Sequence, residues 1–102
     1  MPRIPRTLAE FKDAIASASP PAQLPATLVA LWHDAKGDWD AAHKVAQDIN
    51  DEDGAWIHAY LHRKEGDPGN AAYWYRRAGK PVSKLSLEAE WDEIVGQLLS
   101  QV

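Results

Sequence analysis

Apolar residues recur along the chain at helical spacing, and polar, proline-rich or glycine-containing stretches interrupt them at short intervals. Near the N-terminus Leu8, Phe11 and Ile15 share one helical face. The C-terminal segment shows the same spacing, with apolar residues along one side (Leu87, Trp91, Ile94, Val95 and Leu98). Few segments alternate with the period that a strand requires. The pattern therefore predicts an all-α fold with about six short helices.

Capping and helix-breaking residues set the predicted limits of these helices. Thr7 and Glu10 have the form of a capping box, which starts the first helix, and the prolines of "SPPAQLP" end it. Asp38, Asp67 and Ser86 are good N-caps for later helices, and Pro68 suits a first helical position. The first four predicted helices cover roughly residues 7–18, 26–36, 39–49 and 53–65, the fifth runs from Pro68 to Gly79, and the sixth follows Ser86.

The sequence also contains a weak internal repeat. Gly37-Asp38 recurs as Gly66-Asp67, and residues 26–54 aligned with 55–83 share identities at small residues and turns (Ala26/Ala55, Ala30/Ala59, His33/His62, Gly37/Gly66, Asp38/Asp67 and Ala42/Ala71). Small residues let two helices approach closely, and Gly-Asp both ends one helix and caps the next. We expect one domain over 1–102, with these parts in order: a loose arm 1–6, a helix and Pro-rich loop 7–25, hairpins 26–54 and 55–83, and a last helix 84–102.

The two hairpins resemble the tetratricopeptide repeat, with small residues, glycine and an aromatic residue at matching positions (Ala59, Gly66, Ala71, Tyr75 and Ala78). The second hairpin is also similar to a family of short bacterial and eukaryotic proteins without an assigned activity, in a segment of the form WxHAxxHRxxGDxxNAxYWxRR. The first resemblance implies an inner groove for a peptide, lined by Trp56, Tyr60, Arg63 and Lys64. The second resemblance draws attention to the residues of this segment but implies no activity for them.

Charge and composition narrow the function classes. The net charge of −4 argues against binding to nucleic acid or an anionic membrane, because the overall negative field of the protein repels polyanions. Residues 62–80 nevertheless carry a net charge of +3, which leaves −7 on the remainder and permits a local basic patch. The chain has no cysteine, no stretch long enough to span a bilayer and no secretory signal. We therefore expect a soluble cytoplasmic protein, with no membrane association and nucleic acid as an unfavoured partner.

Two groups of side chains could bind a metal or carry chemistry. His58, His62 and Glu65 share one helical face, which is a possible start for a divalent metal site, although histidines between helices more often have structural hydrogen bonds. The serines have no histidine and acid beside them, and the charges of the last helix (Glu88, Glu90, Asp92 and Glu93) are expected on its solvent side. The sequence thus names no catalytic residue and no cofactor.

The crowded second hairpin supplies the candidate binding residues. They are aromatic, basic or polar side chains beyond what a helical hairpin requires (Trp56, His58, Tyr60, His62, Arg63, Asn70, Tyr73, Trp74 and Arg77). The first hypothesis is a small interaction module that binds a protein or peptide partner through this surface. The alternative is a small-molecule or metal-binding protein, or an enzyme, that uses His58, His62 and Arg63. Each of these surfaces, the groove face around Tyr60 and Arg63 and the face of the fifth helix around Tyr73 and Arg77, can also be interpreted as an ordinary packed or solvated helix face without a ligand.

Overall fold

A computed structural model describes residues 4–101 and contains six helices and no strand within that range, so the predicted all-α class is confirmed. The helices are α1 (Leu8–Ala14), α2 (Ala26–Ala35), α3 (Trp39–Gln47), α4 (Glu52–Lys64), α5 (Pro68–Ala78) and α6 (Leu87–Leu99). Part of the predicted arm, residues 1–3, and the terminal Val102 lie outside the described residues. None of the six helices is both long and apolar enough to cross a membrane.

The predicted helix starts are accurate because local caps determine them. Thr7 accepts a hydrogen bond from the Glu10 amide in a complete capping box. The side chains of Asp38, Asp67 and Ser86 each accept a hydrogen bond from the amide three residues further on, without the second half of the box. The predicted C-terminal ends of the helices are less accurate than the starts. After Ala14 and Gln47 the backbone bonds to the third residue back instead of the fourth, so α1 and α3 end in tight turns before the predicted limits.

The two helical hairpins, α2–α3 and α4–α5, turn through the same elbow. Gly37 and Gly66 both adopt left-handed conformations, with φ of +83° and +88°, where a side chain would be strained. The following residues, Asp38 and Asp67, have nearly the same backbone angles, and each donates its amide to the histidine carbonyl five residues back. The repeated Gly-Asp pair therefore fixes two equivalent turns.

Helix α4 is the centre of the fold. It packs against α2, α3, α5 and α6, and its residues from Gly54 to His62 are all buried. Helix α5, in contrast, packs along α4 and along no other helix of residues 4–101. One side of α4 thus meets α2 and α6, and the other meets α3 and α5.

A buried carboxylate joins α4, α5 and α6. Glu90 is fully enclosed, which corrects the expectation that the acidic residues of the last helix all face solvent. Its Oε1 accepts a bond of 2.8 Å from Arg63, and its Oε2 accepts bonds of 2.6 Å from Tyr75 and 3.3 Å from Trp56. Arg63 also donates to the carbonyl of Leu85. The charge of Glu90 is tolerated in the core because these donors replace the water that it loses.

Removing this carboxylate should strongly destabilise the protein. We expect Glu90→Ala to lower the free energy of unfolding by about 3–5 kcal/mol, because it removes the charge that pairs with Arg63 and the acceptor of the buried donors Tyr75 and Trp56. Urea denaturation measures the change. Glu93→Ala removes an exposed carboxylate from the same helix and should change stability by less than about 0.5 kcal/mol. Equal effects of the two substitutions would contradict the central role of Glu90.

Candidate functional site

The predicted inner groove is filled by the protein's own helices. Trp56 and Tyr60 are 3% and 2% exposed, and α2 and α6 cover this side of α4. Tyr60 donates to the buried carboxylate of Asp34 at 3.1 Å, and Lys64 pairs with the same carboxylate at 2.9 Å. Together with the Arg63–Glu90 pair, these bonds tie the predicted groove face into the core.

Burial has a clear effect on the phenols of this region. Loss of solvent raises the pKa of Tyr60 well above its ordinary value, and the neighbouring charge of Asp34 raises it further. Burial and the hydrogen bond to Glu90 raise the pKa of Tyr75 in the same way. Both hydroxyls therefore remain protonated donors to buried carboxylates.

The opposite side of α4 carries a cluster of three histidines, His43, His58 and His62. The predicted pair His58 and His62 stacks with ring centroids 4.9 Å apart, as expected for residues on one helical face. His43 of α3 completes the cluster, with its Nε2 atom 2.8 Å from Nε2 of His58. Its ring centroid lies 4.6 Å from that of His58 and 5.3 Å from that of His62.

Two tryptophans and a carboxylate hold this histidine cluster in place. The ring of Trp39 stacks on His43 at 4.8 Å, and that of Trp74 stacks on His58 at 3.9 Å. The indole nitrogen of Trp39 donates to the carbonyl of Leu61 at 2.8 Å, which fixes its ring against α4. Glu65 lies 2.6 Å from Nδ1 of His62 and determines which nitrogen of that ring is engaged.

The surroundings keep two of the imidazoles neutral at neutral pH. Burial lowers the pKa of His58 to about 4, with smaller contributions from His43 and His62. Burial and the proximity of His62 lower the pKa of His43, although Glu65 and Asp40 act in the opposite direction. A neutral imidazole keeps a lone pair on one ring nitrogen, which can accept a proton or bind a metal.

Helix α5 presents a second group of predicted residues to solvent. Tyr73 is 45% exposed and Trp74, expected on the buried side, is half-buried. The Arg77 guanidinium lies 5.8 Å and 5.3 Å from their ring centroids and donates to the Tyr73 hydroxyl at 3.0 Å. Arg76 is also exposed. We call Tyr73, Trp74, Arg76 and Arg77 the α5 surface.

A cleft of about 330 Å³ separates the α5 surface from the turn between α3 and α4. Its lining includes Asp51 and Glu52 on one side and Trp74 and Arg77 on the other, with His58 between them. The α5 surface and the histidine cluster are therefore neighbours that meet where Trp74 stacks on His58.

The predicted site residues divide into three places. Trp56, Tyr60 and Arg63 belong to the core contacts with α2 and α6. His58 and His62 form the histidine cluster, where Asn70 approaches the His62 ring at 3.5 Å. Tyr73, Trp74 and Arg77 form the α5 surface.

Sequence reasoning missed His43 and the buried partners Asp34 and Glu90. One signal was available for His43: Trp39 and His43 are four apart on α3, as His58 and His62 are on α4. Asp34 and Glu90 have no comparable local signal.

The chain matches no protein-family model, and neither curated proteins nor solved structures provide a match. The resemblance to the tetratricopeptide repeat therefore stays a prediction, as does the similarity of the second hairpin to a family of short proteins.

Acid should destabilise the fold through His58. An unfolded histidine gains a proton near pH 6.5, whereas in the native state the pKa of His58 is about 4. Between these pH values the unfolded state binds more protons, so the free energy of unfolding should fall as pH decreases from 6.5 to 4. The contribution is up to about 3 kcal/mol, at about 1.4 kcal/mol per pKa unit.

Urea denaturation at several pH values in metal-free buffer tests this dependence. His58→Gln should reduce the acid sensitivity, because glutamine does not titrate. His33→Gln on α2, outside the histidine cluster, is the matched control and should retain it. If wild type and His58→Gln lost the same stability on acidification, burial of a neutral His58 would not be the cause.

Proposed function

We propose that the protein is a small interaction module that binds an acidic segment of a partner protein on the α5 surface. The observation that carries the proposal is that, among the helices of residues 4–101, α5 packs only along α4, apart from the Tyr75–Glu90 bond to α6, and leaves this aromatic and basic face open. A peripheral helix of this kind offers a docking face without rearrangement of the core.

The chemistry of the α5 surface favours an acidic polypeptide. Helix α5 contains Arg76 and Arg77 and no acidic residue. A guanidinium group binds a carboxylate with two parallel hydrogen bonds, and the rings of Tyr73 and Trp74 add apolar contact area beside it. The net charge of −7 outside residues 62–80 disfavours a long polyanion such as nucleic acid, whereas a short acidic segment can stay within the basic patch.

The position of Arg77 supports the same proposal. Its contacts with the Tyr73 hydroxyl and with both rings hold the guanidinium over the surface before a partner arrives. A side chain that is already ordered loses less conformational entropy on binding. Trp56, Tyr60 and Arg63 then serve as the core that supports α4, on which α5 rests.

The cytoplasm is the proposed setting of this interaction, since a chain without cysteine suits a reducing compartment.

An acidic peptide with a central aromatic residue can test the proposal by amide NMR titration. We expect shift changes in α5 for the glutamate peptide and none for the same peptide with glutamine in place of glutamate. Added salt should weaken the binding, because exposed charges are screened. The double substitution Arg76→Gln/Arg77→Gln should weaken it about tenfold, since each exposed ion pair contributes up to about 1 kcal/mol.

A second double variant controls for net charge. Lys44→Gln/Lys84→Gln removes two exposed positive charges elsewhere and should leave the affinity for the peptide nearly unchanged. If both double variants weakened binding equally, or if the shifts mapped away from α5, the α5 surface would not be the binding site.

A further inference from the structure

The three imidazoles of the histidine cluster lie close enough to share one ion. His43, His58 and His62 each present a ring nitrogen within 4.8 Å of the others. The Nε2 atoms of His43 and His58 are 2.8 Å apart. Zinc–nitrogen bonds of about 2.0–2.1 Å in tetrahedral geometry hold two ligand nitrogens about 3.3 Å apart. A shift of a few tenths of an ångström would convert the hydrogen-bonded pair into a pair of ligands.

We propose that His43, His58 and His62 form a binding site for a first-row divalent metal ion, with zinc as the expected occupant. This site adjoins the α5 surface, where Trp74 stacks on His58, but contains none of the four residues of that surface. It also differs from the trio that the sequence suggested. In that trio Glu65 was the third ligand, whereas in the structure His43 of α3 takes this place.

The carboxylate of Glu65 has a different part in the proposed site. It holds Nδ1 of His62 at 2.6 Å, so Nε2 is the ring nitrogen of His62 that remains for the metal. In metal centres a ligating histidine almost always donates its other N–H to a carboxylate, a carbonyl or water, which orients the ring and makes the ligand more basic. The His62–Glu65 contact supplies this arrangement and brings a negative charge toward a cation.

The protons of the cluster balance in a simple way. The short contact between His43 and His58 requires one Nε2 to carry a proton and the other to accept it. On metal binding the donor ring would carry its proton on Nδ1 instead, and both Nε2 lone pairs would bind the ion. The metal thus takes the place of the hydrogen bond between the two rings, and each neutral ring keeps one proton, so the rings need not change their net charge.

The surrounding helices favour a preorganised site. The ligands lie on α3 and α4, which pack against each other, and stacking on Trp39 and Trp74 restricts the rings of His43 and His58. His43 is half-buried, so the cluster borders solvent on the α3 side. Three protein ligands leave a fourth position for water or an external group.

The ligand set selects a class of ions. Imidazole suits zinc, copper and nickel, whereas magnesium and calcium prefer oxygen ligands and gain little from three ring nitrogens. Within residues 4–101 a second group of side chains could compete for a cation, namely His62, Glu65 and Asp67. Both of its carboxylates are exposed, however, and Asp67 already caps α5. The histidine cluster is the better site because its ligands are fixed by packing.

Calorimetric titration of the full chain with Zn²⁺ tests the proposal, with the oligohistidine tag removed. We expect binding of one equivalent, at least about tenfold weaker in His43→Gln, because that substitution removes one ligand and leaves only an i, i+4 histidine pair on α4. His33→Gln should bind as the wild type does. Circular dichroism confirms that each variant is folded, and since His43 is half-buried its substitution perturbs the core less than His58→Gln would.

Two further measurements locate the ion. Co²⁺ in place of zinc should give the intense visible absorption of a tetrahedral site, and His43→Gln should abolish it. Glu65→Gln should weaken Zn²⁺ binding about tenfold, as expected for loss of the carboxylate behind a ligating histidine. Mg²⁺ should produce no comparable heat.

Three results would overturn the proposal. The first is the absence of one-equivalent Zn²⁺ binding to the folded wild type. The second is unchanged binding in folded His43→Gln. The third is loss of binding in Asp67→Ser, which keeps a capping hydroxyl, with retention in His43→Gln; this would assign the ion to the exposed acidic group. None of these results bears on peptide binding at the α5 surface.

Discussion

The structure depends on one constraint: α4 packs against four other helices, so each polar group that it buries must find a partner inside the protein. An unpaired buried donor or charge is expensive, because no water replaces the lost hydrogen bonds. Toward α2 and α6 the partners are two carboxylates, Asp34 and Glu90, which accept from five donors of α4 and α5. Toward α3 and α5 the partners are aromatic and imidazole rings. Helix α4 therefore has one side that is held by ionic and hydrogen-bonded contacts and another that is held by ring stacking.

The two sides of α4 also differ in whether their polar groups are fully paired or still able to bind a ligand. Around Asp34 and Glu90 the donors and acceptors are matched, and the aromatic hydroxyls are locked in their protonated forms by burial and neighbouring carboxylates. Around His58 the rings are stacked and hydrogen-bonded to each other, which leaves lone pairs and exchangeable protons close together. The paired carboxylates and the imidazole rings with available lone pairs therefore contact opposite faces of one helix.

Local sequence signals predicted much of the fold. Caps such as Thr7 and Asp67, and the elbow glycines Gly37 and Gly66, act over a few residues and are visible in the chain. The pairing of His58 with His62 follows from helical spacing alone. In contrast, the approach of His43 and the burial of Glu90 depend on how the second hairpin packs against the first and against α6. Aligning the repeats paired His33 with His62 as equivalent positions, and equivalence within a repeat does not indicate contact.

The attachment of α5 has a dynamic consequence. This helix is held by its packing along α4 and by the hydroxyl of Tyr75, whose acceptor Glu90 lies on α6. Swinging α5 away would therefore disrupt its interface with α4 and the Tyr75–Glu90 bond, and would at the same time remove Trp74 from the face of His58. Local openings of this kind cost less free energy than global unfolding. Opening of this peripheral helix would thus set how often the ring of His58 meets the surrounding solution from the α5 side.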